Sequence, residues 1–249
     1  MKSQKKVYKF LLVLSALIAT SFLAFIIYFY LMLNFEERLT ERITDDVIVI
    51  NDLFSSMYLI RIDSVYIAID TGYFESFILR GLEYNDISID DIKYLLITHS
   101  DADHANNIDL FKSAEVYFSK EEKIMLDNGQ QRFNFIPMLN NKLQIQNLNL
   151  IEDEDSIFVG DRIIKAISLP GHTEGSFGYI FDNKYLFSGD AFRLKNGRIS
   201  LPFRKYFVTD EDEVRKSMYK VSGLDSIKYI FTAHSGFTAD FQFAVSHIN

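Results

Sequence analysis

From Phe10 to Leu33 the chain runs for 24 residues, "FLLVLSALIATSFLAFIIYFYLML", without a charge. As a helix rising about 1.5 Å per residue, this run reaches about 36 Å, enough to cross a hydrocarbon core of about 30 Å. Lys2, Lys5, Lys6 and Lys9 precede it, and Glu36 and Glu37 follow. The bias of basic residues to the cytoplasmic side therefore places the N-terminus inside and everything beyond residue 34 outside the cell. A cleaved signal peptide is the competing reading, with an apolar region of about 7–15 residues ending at small residues. Ala19 and Ser21 offer such a site, but cutting there leaves "FLAFIIYFYLML" at the new N-terminus. The expectation is a single-pass signal-anchor in the cell membrane. The domains would be a cytoplasmic tail at 1–9, the anchor at 10–33, a connector at 34–42 and an extracellular unit at 43–249.

The part of the chain beyond the anchor, connector included, holds all 34 acidic residues but only 22 of the 26 basic ones, a net charge of −12. Such a balance argues against nucleic acid or an anionic surface as a broad electrostatic partner. There is no cysteine, so neither a disulfide nor a thiolate metal ligand is available. Short runs rich in β-branched and aromatic residues ("DVIVIN", "MYLIRI", "VYIAIDTG", "EVYFS", "LNLIE", "DRIIKAISL", "FGYIFD") read as strands. The continuous apolar run "KYLLITH" suits a strand buried on both faces. "YFESFILRGLEY", "KEEKIMLDN" and "DEDEVRKSMYKVSGL" read as helices, the last with Val214, Met218 and Val221 on one face, and another helix is expected after His104. Strands and helices mix throughout, which favours a layered α/β domain with sheet at its centre.

Four stretches share a second pattern, in which an apolar strand ends and a metal-capable side chain follows at once. They are "YLLITHSDADH", "AISLPGHTEGS", "KYLFSGDAF" and "YIFTAHSGF". They carry His99, Asp101, Asp103 and His104, then His172, Asp190 and His234, and so four of the five histidines. Imidazole nitrogens and carboxylate oxygens at about 2.0–2.2 Å are ordinary zinc ligands and also suit iron or manganese. Seven are too many for one tetrahedral ion but suit two ions sharing a carboxylate. Two ions about 3.5–4 Å apart can hold a hydroxide and polarise the oxygen it attacks.

On these motifs the chain resembles the metallo-β-lactamase superfamily, in the branch of glyoxalase II-like dinuclear hydrolases. That family carries H-x-H-x-D-H followed by single His, Asp and His residues, and the order is kept here. The resemblance implies a four-layer αββα sandwich behind the N-terminal transmembrane helix. It implies a first metal on His99, Asp101 and His172, a second on Asp103, His104 and His234, and Asp190 bridging both. Asp70, in "IDTG", matches a family aspartate beside the site.

Three departures accompany the resemblance. The chain ends 15 residues after His234, without the helical domain that follows in glyoxalase II. Asp190 stands where the best-known zinc β-lactamases have cysteine, which argues against β-lactam cleavage. Asp101 stands where the motif has its second histidine. This extra negative charge weakens the cluster as a Lewis acid and favours harder metals. Flavodiiron relatives carry Glu at this position and bind iron.

The expected function is therefore a membrane-anchored hydrolase using a metal-bound hydroxide on a small-molecule ester, thioester, lactone or phosphoester. Two divalent ions would serve it, zinc first, with iron or manganese admitted by Asp101, and Asp103 would also orient the hydroxide. A non-haem iron oxidoreductase of the same fold, or a non-catalytic metal-stabilised binding domain, are the alternatives. Arg193 and Lys195, with Arg198, Arg204 and Lys205 after them, could meet an anionic substrate group. The stretch 127–144, with Phe133, Phe135 and Met138, could form a lid. His247 reads as a surface residue.

Overall fold

The computed structural model of the protein describes residues 2–33, 40–128, 145, 147–202 and 208–248. The chain separates into two compact units, Met1–Glu36 and Glu37–Asn249. In the first, one helix, α1 (Lys2–Leu33), contains the uncharged run. Its segment Lys6–Ile27 has a mean hydropathy of 2.7 with no part buried, so it is long and apolar enough to cross a membrane.

The second unit is built on two sheets. The first comprises β1 (Glu41–Arg42), β2 (Val47–Asn51), β3 (Ser56–Ile62), β4 (Val65–Ile69), β5 (Ile92–Leu96), β6 (Glu115–Ser119) and β7 (Leu148–Ile151), in that spatial order. Neighbours are antiparallel up to β4 and parallel from β4 to β7. Next in the chain come β8 (Ser156–Val159), β9 (Arg162–Ser168), β10 (Phe177–Phe181) and β11 (Tyr185–Phe187), then a separate hairpin of β12 (Arg193–Lys195) and β13 (Arg198–Ser200). With β14 (Tyr229–Thr232) and β15 (Gly236–Thr238), the second sheet has the order β15-β14-β11-β10-β9-β8.

Side chains alternate across a strand, and these strands are apolar at both parities because both faces are covered. In β2, Val47 and Val49 point between the sheets, where they join Tyr58 and Ile60 against Ile164, Ala166, Tyr179 and Phe181 of the second sheet. Ile48 and Ile50 turn the other way, onto Ile78 and Leu82 of the helix α2 (Glu75–Tyr84). The outer face of the second sheet, with Ile167, Ile180 and Ile230, is covered by Val214, Met218 and Val221. These belong to the helix at Glu211–Ser222, the amphipathic segment expected from its spacing. The result is a helix–sheet–sheet–helix sandwich, the layered fold expected.

The differences from the expected elements are local. Residues 41–42, assigned to the connector, form β1 and pair with Ile48 and Val49. The helix expected after His104 starts before it, as α3 (Ala102–Ala105), with Asp101 at its N-cap. The strands β8, β12, β13 and β15 have three or four residues each, too few for a period to show.

Candidate metal centre

Topology brings the strand-end residues together. In the first sheet β4 and β5 are parallel, and in the second β11 and β14 are parallel. β10 is antiparallel to both β9 and β11, so β9, β11 and β14 share one direction. Asp70 follows β4, the 98–104 stretch follows β5, and His172, Asp190 and His234 follow β9, β11 and β14. All five segments therefore leave the C-terminal ends of strands on the same rim. Gly189 lets the two sheets close there: its φ is +51°, and a Cβ would lie 2.6 Å from Thr98 Oγ1. Gly171, at φ +129°, does the same for the His172 loop, since a Cβ would lie 2.4 Å from the Val214 amide nitrogen.

Two triads result. His99, Asp101 and His172 form one, with Nε2 of His99 and Nε2 of His172 3.1 Å apart. Asp101 Oδ2 lies 3.2 Å from His172 Nε2 and 3.4 Å from His99 Nε2. Asp103, His104 and His234 form the other, with Asp103 Oδ2 3.6 Å from His104 Nε2 and 3.3 Å from His234 Nε2. Asp190 stands between them: its Oδ2 is 3.4 Å from His172 Nε2 and 3.0 Å from His234 Nε2, and its Oδ1 is 3.5 Å from His104 Nε2.

These spacings fit metal ions. Ligands at about 2.0–2.1 Å in tetrahedral array are about 3.3 Å from one another. Facing imidazole nitrogens at 3.1 Å need a shared proton or a shared cation to avoid opposing lone pairs. His104 Nε2 and Asp190 Oδ1 are buried without a hydrogen-bond partner, which burial alone makes costly. Asp101 also forgoes the ordinary role of an N-cap carboxylate: its side chain makes no cap hydrogen bond and faces His99 and His172 instead.

Electrostatics agree with a cation site. Burial lowers the pKa of His104, but the carboxylates of Asp103, Asp190 and Asp70 outweigh it and raise the value well above the ordinary range. His234 is likewise raised, burial being overcome by Asp190 and Asp103. Burial works to raise Asp190, yet His234, His104 and His172 hold it well below the usual carboxylate range. These shifts favour protonated His104 and His234 beside an ionised Asp190, and a metal ion held by the same atoms would displace those protons.

The supporting contacts are those sequence reasoning largely missed. Asp70, buried and at φ +61°, accepts a hydrogen bond from His104 Nδ1 at 2.7 Å. His234 Nδ1 donates to the Phe54 carbonyl at 2.6 Å. Ser55 Oγ donates to the Asp103 carbonyl, and the buried Asp52 holds this turn by accepting the amides of Ser55 and Phe54. Glu122, fully buried, accepts the Ser100 amide at 2.9 Å between two residues of the first triad. Of these, only Asp70 was expected from the sequence, through its match to a family aspartate.

The other expected residues fall differently. Arg193 and Lys195 lie on the hairpin after Asp190, where Arg193 Nε donates to Ser200 Oγ at 3.2 Å and Lys195 is exposed. Leu194 N donates to Ser235 Oγ at 2.7 Å, which ties this hairpin to the His234 turn. Phe133, Phe135 and Met138 of the proposed lid, with Arg204 and Lys205, lie outside the described residues. His247 is exposed.

Comparison with known proteins adds to this picture. A probable metallo-hydrolase of Methanocaldococcus jannaschii is 31% identical over 162 residues, covering 65% of this chain and 66% of the relative. A hydroxyacylglutathione hydrolase of Vibrio cholerae is 28% identical over 179 residues, 72% of this chain and 60% of the relative. The chain thus spans less than two thirds of the length of these relatives. A metallo-beta-lactamase family protein from Thermus thermophilus shares the fold, with a TM-score of 0.63 at 17% identity over 81% of this chain and 77% of its own. Residues 50–234 match the sequence profile of the metallo-beta-lactamase superfamily, and they enclose both triads. The chain belongs to that superfamily.

Proposed function

We propose that this protein is a metal-dependent hydrolase of small-molecule esters, thioesters, lactones or phosphoesters, held at the cell membrane by α1 with its second unit outside. The observation that carries the reading is the pair of His/Asp triads meeting at one shared carboxylate, Asp190. When bound, two divalent ions lower the pKa of water and polarise the oxygen under attack. Zinc is the first choice for such nitrogen and oxygen donors, and Asp101 in place of a neutral ligand widens the choice to iron or manganese.

The residues divide the work. Asp190, shared by the triads, sets the separation of the two positions. Asp103 is the more exposed carboxylate, its side chain 22% accessible. It is placed to accept a proton from the attacking water and to fix its direction. Buried His104 and His99 keep their donor nitrogens pointed inward while the fold excludes bulk water behind them. For the anchor, the support is the length and apolarity of α1 together with lysines at its N-terminal end.

Metal analysis of anaerobically purified protein, with a hydrolytic panel that includes acyl-glutathione thioesters, tests the activity. Two zinc ions with hydrolytic turnover support it. Tightly bound iron with oxygen consumption and no hydrolysis transfers the protein to the oxidoreductase reading, which Asp101 favours. Protease shaving of intact cells tests the topology: a protected second unit overturns the external placement.

A further inference from the structure

Thr98 is 1% exposed and, just after β5, meets the residues that follow β4 and β11 and the first residue of β10. Its amide donates to Asp70 Oδ1 at 2.8 Å and its hydroxyl to Asp70 Oδ2 at 2.9 Å. Its carbonyl accepts the amide of Phe177 at 2.9 Å, at the start of β10. Gly189, after β11, packs so closely on the hydroxyl that no side chain fits between. Asp70 and Gly189 thereby hold the Thr98 side chain, and Asp70 and Phe177 its backbone.

The same hydroxyl oxygen lies 3.0 Å from Nδ1 of His99. A threonine hydroxyl has one proton, and a carboxylate only accepts. With that proton given to Asp70, the oxygen faces His99 as an acceptor, and the contact requires a proton on His99 Nδ1. A neutral ring protonated there has its lone pair on Nε2, which points at Asp101 and His172. Asp70 Oδ2 takes the Nδ1 proton of His104 directly. One carboxylate oxygen thus addresses one imidazole in each triad.

We propose that Thr98 is a positioning residue that relays Asp70 to His99, so that Asp70 sets the ligating tautomer of His99 through a hydroxyl and of His104 by direct contact. The inference rests on the two-triad reading above, and it goes beyond it in making the triads share one orienting group.

The test uses the full chain in detergent, labelled with 15N-histidine; five histidines keep the spectrum readable. Long-range proton–nitrogen correlation reports which ring nitrogen is protonated, and chelator competition reports zinc affinity. In the zinc-loaded wild type, His99 and His104 both show a protonated Nδ1. In Thr98→Val, a near-isosteric change, His99 loses that single tautomer while His104 keeps it. Zinc affinity at the first position falls about 10–100-fold, the usual scale for a partner behind a ligand. Thr98→Ser restores both. An unchanged His99 tautomer and affinity in Thr98→Val overturns the relay. Asp70→Asn gives an independent arm: it disturbs both histidines if the relay exists, and a change confined to His104 overturns it. Failure of the wild type to take up zinc counts against the two-triad reading alone, because the His99 tautomer is still legible in the metal-free protein.

Discussion

The two triads differ in depth. His99 and His172 of the first have side chains 0% and 3% exposed, and Asp101 10%. In the second, His104 is fully buried but His234 is 15% and Asp103 22% exposed. The first is enclosed by Glu122 and the His172 loop, whereas the second opens to solvent beside a turn held by Asp52. A solvent-facing position suits the attack on substrate, and a sealed one suits fixed charge. The sharpest way to break this comparison is Asp103→Ala, which removes the exposed carboxylate. Turnover should fall about 10²–10⁴-fold, the range for losing a positioned acid–base group, while zinc at the first triad stays bound. Equal loss from both positions, read by metal stoichiometry, would deny the division of roles.

Asp190→Ala acts on what the triads share. Removing one member of a buried charge set costs about 3–5 kcal/mol, because its partners are left uncompensated. Three imidazoles face Asp190, so both positions should lose zinc together. Retention of one ion in stoichiometric amount would mean that Asp190 serves a single triad.

Asp101→His tests the first triad alone. Its carboxylate already lies within 3.4 Å of both histidine Nε2 atoms. A neutral imidazole there should raise zinc preference over iron at the first position by about tenfold, the scale on which changes around a metal act, with the fold intact. Unchanged metal content would show that Asp101 contributes charge and no bond.

How much of this was legible in the sequence differs between ligands and supports. His99, His172, Asp190 and His234 announce themselves because each follows an apolar strand, and parallel strands must deliver their ends to one rim. Long buried strands such as β2 and β5 were equally legible from their apolar runs. Glu122, Thr98 and the Phe54 carbonyl gave no signal. Glu122 reads as an ordinary charged residue in a helix first turn, and only packing against the Ser100 amide reveals its burial. A carbonyl has no letter of its own. The start of α3 was misplaced because Asp101, a good N-cap residue, turns its side chain to the histidines.

The smallest predicted effect concerns pH, and it separates the empty centre from the loaded one. His104 and His234 are raised above their ordinary value near 6.5. Their contribution to metal-free stability is therefore complete below about pH 6.5 and fades as pH rises through the folded values. Asp190 is depressed, so its contribution is present above about pH 4 and fades only on strong acidification. The metal-free protein should accordingly lose a few degrees of melting temperature between pH 6 and pH 9, at about 2–4 °C per kcal/mol. The zinc-loaded protein should move the other way over the same interval, because binding displaces those protons and tightens as they become scarce. Thermal unfolding with and without chelator measures both slopes. Parallel slopes would mean that the histidine protons and the metal do not compete for the same nitrogens.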